Sequence, residues 1–256
     1  MTLSADWSGE YNGLIFGAGT SYKLLRDGTS LGGLPITRTA DQPRASAPGV
    51  VAAVDRLGGR TIVLAISAFG GSATAVGSLA QTWRNAFKPQ TSDQPLDLRL
   101  PGLPETVIRF FGRPRELNDD ISWWSSGSQR WAQQFAATDP LMYGAAVTAS
   151  NASALTVNNS GSAATSRITL TVQANGGTPQ IVNGSTSDTI VWGTAVAAGQ
   201  TRTVDVFART VVDGSSVDKY TELAATTTWF DLPAGTSGLT FTGCSSVTVV
   251  HRSAWF

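Results

Sequence analysis

The feature that most constrains this chain is a two-residue hydrophobic period that recurs, with turn signals between its appearances, through the last 116 of its 256 residues. From Arg167 to Gln173, Ile168, Leu170 and Val172 fall on one face and Thr169 and Thr171 on the other. Val204, Val206 and Ala208 repeat the pattern, as do Val247 and Val249 around Thr248. Alternation with β-branched residues marks strands with one buried face. Asn175-Gly176-Gly177, Asn183-Gly184, Ala198-Gly199, Asp213-Gly214 and Pro233-Ala234-Gly235 are turn signals between them. Short strands at this spacing predict a β-sandwich.

The first 140 residues read differently. They hold 25 of the 36 charged residues, whereas Ser and Thr shift the other way, 24 before residue 141 and 33 after it. That contrast predicts two domains, 1–140 and 141–256, with the break near Asp139-Pro140. The first is mostly β. Ser21–Leu25 runs into the hairpin signal Arg26-Asp27-Gly28, Leu57-Gly58-Gly59-Arg60 turns into a strand carrying Ile62, Leu64 and Ile66 on one face, and Thr106–Phe111 is a further strand. One helix is predicted from about Ser78, as N-cap, to Lys88. Leu79, Trp83 and Phe87 form its apolar stripe, and Pro89 stops it. Trp83 and Phe87 are therefore core anchors, and Trp192 and Trp229 are expected to serve the same role in the strands of the second domain. The fold class is mainly β, a sheet domain with one packed helix followed by a sandwich.

Leu31–Val50 has no clear period and carries Pro35, Pro43 and Pro48. A long ordered segment of this kind is an interaction loop or arm. We take Pro35, Ile36, Arg38, Pro43, Arg44 and Pro48, with the strand from Thr61, as a candidate subunit interface. Lys plus Arg and Asp plus Glu number 18 each. A net charge of zero argues against a binder of nucleic acid or anionic membrane driven by bulk charge, and it favours association. The opening MTLSADWSGEYNG has neither the basic nor the apolar region of a signal peptide, and no run is long and apolar enough for a membrane helix.

The search for chemistry returns few candidates. His251, the one histidine, lies in a strand pattern with no nucleophile motif nearby in sequence, and reads as a histidine at a sheet surface. Cys244, the one cysteine, has no ligand-spaced partner and reads as a small buried hydrophobe. Glu116, Asp119 and Asp120 beside Trp123 and Trp124 evoke a glycosidase cleft, but Asn118-Asp119-Asp120 is ordinary turn chemistry. Asp213–Asp218 lacks the alternating ligands of a calcium loop and reads as a hairpin turn. Gly17-Ala18-Gly19 lacks the third glycine and the helix of a dinucleotide loop. No catalysis, cofactor or metal is predicted.

Taken as an ordered series, the segments resemble the distal tail protein family, often called minor tail proteins, of long-tailed, non-contractile bacteriophages. The first part of the resemblance lies in Gly13–Gly17, Tyr22-Lys23-Leu24, Gly33–Arg38 and Gly58–Ile62. The junction is Ala137-Thr138-Asp139-Pro140-Leu141-Met142-Tyr143. The second part lies in Asn158–Ala163, Thr178–Ile181, Ala198–Thr201 with Val204-Asp205, Leu232–Gly235, and the closing Val249-Val250-His251-Arg252-Ser253-Ala254-Trp255. One departure is the stretch Gly161–Arg167, which lacks the family's Pro. The resemblance implies an N-terminal domain that closes into a homohexameric ring and a galectin-like C-terminal sandwich projecting from it. It implies a virion location at the distal end of the tail, after synthesis in the host cytoplasm. The implied neighbours are the tail-tube protein, the tail-tip or baseplate hub protein and the tape-measure protein, with adaptor or receptor-binding proteins reached through 141–256. A carbohydrate-binding adhesion module that recognises the host cell wall is the alternative. It would require an exposed Trp platform with convergent polar groups, whereas a structural sandwich buries its Trp residues.

Overall fold

The computed structural model describes residues 3–33, 37, 38, 42, 43, 50, 51, 56–120 and 127–256. The fold is mainly β with one helix, and the chain divides into two compact units, Met1–Met142 with Phe256, and Tyr143–Trp255.

The first unit contains β1 (Ser8–Tyr11), β2 (Leu14–Gly17), β3 (Tyr22–Leu24) and four two-residue strands, β4 (Thr37–Arg38), β5 (Gln42–Pro43), β6 (Val50–Val51) and β7 (Arg56–Leu57). There follow β8 (Arg60–Phe69), helix α1 (Ala73–Ala86), β9 (Gln94–Arg99), β10 (Ile108–Asp120) and β11 (Ser128–Asn151), which begins in this unit and ends in the next. Its sheet runs β3-β8-β11-β10-β9-β1-β2, while β4 pairs with β7 and β5 with β6. The alternation on β8 buries Ile62, Leu64 and Ile66 completely, and the antiparallel register sets Trp131 opposite Ile66 and Phe135 opposite Ile62. Gly112 on β10 permits the close approach of β11, since a Cβ there would lie 2.1 Å from the Ala136 carbonyl oxygen.

Helix α1 covers that apolar face. Its N-cap lies six residues earlier than its sequence suggests. Ser72 is the N-cap, accepting a hydrogen bond from the Ala75 N–H at 3.2 Å, and Ser78 lies within the helix. The buried stripe is Val76, Ala80, Trp83 and Ala86, continuing into Phe87. Its first two members are small and the sequence period does not advertise them. Trp83 is fully buried and stacks on Phe87 at 4.3 Å between ring centroids, with Phe16 at 5.3 Å, Trp131 at 5.6 Å and Tyr22 at 5.7 Å around it. The Asn12 amide donates to the Ala86 carbonyl at 3.3 Å, occupying one of the acceptors exposed at the helix end.

The second unit is a sandwich. One sheet is β17 (Thr210–Asp213), β16 (Thr201–Asp205), β13 (Ile168–Ala174), β19 (Cys244–Trp255) and the end of β11. The other is β12 (Ala154–Asn159), β18 (Gly235–Thr242), β14 (Gln180–Asn183) and β15 (Thr189–Val191). Leu170, Val172, Val204, Val247 and Val249 from the first sheet meet Ile181, Ile190, Leu239 and Phe241 from the second in one apolar core. Ala208 leaves the period. β16 ends at Asp205, whose carboxylate accepts from the Ala208 N–H at 2.9 Å, and Arg209 turns the chain at φ 55°.

Candidate functional site

Of the candidate interface residues, Pro35, Ile36, Arg44 and Pro48 lie outside the described residues. Arg38 sits in β4 opposite Arg56, and Pro43 in β5 opposite Val50. The strand from Thr61 is β8, a central strand hydrogen-bonded to β3 and β11. Its backbone edges are taken, so it faces outward only through side chains such as exposed Thr61 and half-buried Val63. The sheet path ends at β2, beside a pocket of about 70 Å³ lined by Leu3, Ser4, Ala5, Ser8, Glu10, Ile15 and Ala18.

Four arginines of the first unit pair with carboxylates. Arg109 makes a bidentate pair with Asp97, 2.6 Å on each side, across β10 and β9. Arg113 meets Asp93 at 2.7 Å, Arg99 meets Asp6 at 2.9 Å and Arg84 meets Asp119 at 2.6 Å. Hydrogen bonding to Asp97 holds the Arg109 guanidinium above its ordinary value. The last of these pairs corrects the expected turn at Asn118–Asp120. Those residues continue β10, and Asp119 reaches the helix. Trp123 and Trp124 lie outside the described residues. Arg60 differs from the other arginines. It is 6 % exposed, lies 5.8 Å from the Phe110 ring centroid, and its Nε has no hydrogen-bond partner.

In the second unit Trp192 is buried, whereas Trp229 is only half-buried and lies nearly parallel to exposed Tyr220. Its neighbour Phe230 takes the core position instead. His251 is not at a sheet surface. It shares the inward face of β19 with Val247 and Val249 and is 2 % exposed. Its Nε2 lies 3.1 Å from the Asn158 carbonyl oxygen. A carbonyl only accepts, so that nitrogen carries the proton and ties β19 to β12 across the sandwich. Cys244 is buried in the core cluster, and burial pushes its thiol up. Asp213 forms the turn expected of it, accepting from Ser215 and Val217 N–H groups at 2.9 and 3.0 Å. Among the described residues no three His, Cys, Asp or Glu side chains gather as a metal site, and no helix is long and apolar enough to cross a membrane.

The densest polar arrangement was not singled out from the sequence. Asn159, 1 % exposed, donates through Nδ2 to the carbonyls of Ala163 at 2.8 Å, Leu232 at 3.1 Å and Pro233 at 3.3 Å. Its Oδ1 accepts from the N–H of Gly161 at 3.1 Å and of Ala254 at 3.2 Å. The Ser253 hydroxyl accepts from the Ser160 N–H at 3.0 Å. Gly161 is required there, because a Cβ would fall 1.8 Å from the Ala254 carbonyl oxygen. Three of the segments that carry the family resemblance, Asn158–Ala163, Leu232–Gly235 and Val249–Trp255, thus interlock around one amide. The signal for it in the sequence is their joint presence, not any one of them.

No protein-family model matches the chain, and no curated protein matches it in sequence. Solved structures do. The crystal structure of the Dit (gp 19.1) protein of phage SPP1, described as a paradigm of the hub adsorption apparatus in phages infecting Gram-positive bacteria, aligns with a TM-score of 0.72 and 18 % identity. The alignment covers 96 % of this chain and 98 % of that one. A chain of the phage P2 baseplate in its activated conformation with Ca aligns with a TM-score of 0.60 and 8 % identity, covering 93 % of each chain. A chain of the phage p2 baseplate with Sr gives 0.60 and 9 %, covering 96 % of each. At these identities the likeness is one of fold.

Proposed function

We propose that the chain is a non-enzymatic structural component of a phage tail tip. In this reading residues 1–140 build a homohexameric ring that joins the tail tube to the tip hub and encloses the DNA channel. Residues 141–256 form a galectin-like sandwich that projects from the ring and offers docking surface to adaptor or receptor-binding proteins. The observation that carries the reading is the fold likeness to the SPP1 Dit protein, which covers 96 % of this chain and 98 % of that one. Closing a ring needs one patch docked on a different patch of the next copy. The β2 edge and the segment 31–50 are the surfaces we assign to that contact. The ion pairing in the first unit fits a channel component. Unpaired Lys and Arg hold DNA through counterion release, and Arg84, Arg99, Arg109 and Arg113 are each neutralised by an aspartate, which among the described residues leaves exposed Lys23, Arg26, Lys88 and Arg115 as the groups that must point away from the channel. Native mass measurement and negative-stain imaging of the purified chain test the reading. A six-fold ring is expected, and deletion of residues 36–48 should leave a folded monomer. A protein that stays monomeric across concentrations and is absent from purified tails would refute it.

A further inference from the structure

Between β17 and β18 the chain passes through residues 214–234 with only a 3-10 turn, Tyr220–Glu222, as regular structure. Long irregular connections in a compact domain are generally functional or disordered. This one is firmly held. The Lys219 N–H donates to the Val211 carbonyl, Gly193 to Glu222, Ala224 to Val191 and Thr228 to Thr189. Arg202, 8 % exposed, makes a bidentate pair with Glu222 at 2.7 and 3.1 Å. What this scaffold presents is apolar. Val217 is 52 % exposed and Tyr220 48 %, and the Tyr220 ring is held within 13° of parallel to that of Trp229, whose remaining surface packs on the core. Phe207, the other exposed aromatic of this unit, has the Arg167 guanidinium 3.5 Å over its ring.

We propose that this loop is a binding site for the pyranose ring of a neutral saccharide, with Tyr220, backed by the Trp229 ring at 6.4 Å, as the stacking surface and Lys219, Asp213 and Glu222 as its polar rim. The site does not depend on whether the chain forms a ring. The C–H face of a pyranose is apolar and packs on an aromatic plane, and fixing that plane in advance removes the entropic cost of ordering it. The rim suits hydroxyl groups. The Lys219 ammonium lies 3.7 Å from Asp213 and 3.9 Å from Glu222, beyond good hydrogen-bond distance, so its donors remain available. The carboxylates keep only the lone pairs not taken by Arg202 on Glu222 and by the Ser215 and Val217 N–H groups on Asp213. Asp213, Asp218 and Glu222 outnumber Lys219 and Arg202, which disfavours an anionic ligand. Three apolar side chains fall well short of the roughly 800 Å² per partner of a standard protein interface.

The test is titration of the full chain with maltotriose, chitotriose and galactobiose, followed by tryptophan fluorescence and saturation-transfer NMR. At least one is expected to bind saturably in the millimolar range, with saturation transferred to the sugar C–H protons from the aromatic region. Tyr220→Ala should weaken binding by at least about tenfold, in line with the loss of an aromatic anchor. Tyr220→Leu, which keeps apolar bulk and lacks the plane, should do the same if the alanine variant proves unstable. No saturable binding of any of the three, or equal affinity of wild type and Tyr220→Leu, overturns the assignment. So does a Tyr220→Leu effect confined to self-association, which would make the patch an interface between copies. A wild type that binds sugar but stays monomeric removes the ring and leaves this site standing.

Discussion

Truncation of Asn159 isolates the polar knot of the second unit. Asn159→Ala removes two acceptor contacts and up to three donor contacts at a position 1 % exposed. The losses are unequal. The Leu232 carbonyl retains the Thr165 N–H at 2.9 Å, and the contacts of Gly161 and Pro233 lie partly within reach of water. The Ala254 N–H is buried and loses its side-chain partner outright. An orphaned buried group costs about 1–3 kcal/mol, and the carboxamide volume adds a cavity term, so the expected loss is about 3–4 kcal/mol. That is a large share of a domain stability of about 5–15 kcal/mol. Asn159→Asp supplies the discriminating arm. It keeps an acceptor for Gly161 and Ala254 but points a carboxylate at the Ala163 and Leu232 carbonyls. It should be at least as damaging as alanine at neutral pH and should recover partly on acidification, when the protonated acid regains one donor. The alanine variant should lack that recovery. Urea unfolding of the full chain, followed by fluorescence and fitted with separate transitions for the two units, measures both. A loss below about 1 kcal/mol for Asn159→Ala, or no pH-dependent difference between the variants, would refute the reasoning.

Trp83→Ala, which empties the centre of the aromatic cluster under α1, should cost about 3–5 kcal/mol by thermal or urea unfolding of the first unit. Burial pushes the Tyr11 hydroxyl up to about 12. Its folded-state value is raised, so its contribution is fully present below pH 10 and is lost as pH climbs towards 12, about 2–3 kcal/mol in all; Tyr11→Phe should abolish that alkaline loss. Hydrogen bonds from the Val217 and Ser215 N–H groups, with Lys219 and Arg202 nearby, hold Asp213 below its ordinary value. Its stabilisation is therefore present above the unfolded value and lost as pH falls through the folded one, and hydrogen exchange at Val217 and Ser215 should accelerate there first. Arg60→Met removes a buried cation that has no acidic partner among the described residues, and the unassembled protein should be unchanged or more stable by up to about 2 kcal/mol in thermal melts.

The sandwich strands were legible because period-two patterning and side-chain burial arise from the same geometry, as Ile168, Leu170 and Val172 demonstrate. The helix was legible at its aromatic end and not at its start, because Val76 and Ala80 bury little surface and Ser72 follows two glycines that read as a loop. Trp229 and His251 were misplaced for opposite reasons. A tryptophan beside a second aromatic is ambiguous when that neighbour, Phe230, can fill the core in its place. A buried histidine shows itself only through its partner, and here that partner is the Asn158 carbonyl 93 residues away. Backbone acceptors leave no trace in residue identity. The same holds for Asn159, whose five partners are all backbone atoms, three of them on segments distant in sequence.

That convergence bears on what the family resemblance means. A short motif that recurs because it touches a ligand should map to an exposed cluster of side chains. The segments Asn158–Ala163, Leu232–Gly235 and Val249–Trp255 map instead to a buried junction held by one amide, one hydroxyl and a glycine with no room for a Cβ. Their recurrence is a property of the sandwich frame and carries no information about what the sandwich touches. Surfaces that face other molecules escape this constraint, and they are where the chain is free to differ at low identity while the fold persists. For this chain the candidate surfaces are the outward side of β8, the β2 edge, and the loop carrying Val217 and Tyr220. Of these, β2 and Thr61 fall within the resemblance segments Gly13–Gly17 and Gly58–Ile62, whereas Val63 and the loop carrying Val217 and Tyr220 fall outside them. Substitutions at Asn159, Gly161 or Ser253 should change how much folded protein there is, whereas substitutions at Thr61, Val63 or Tyr220 should change what that folded protein binds.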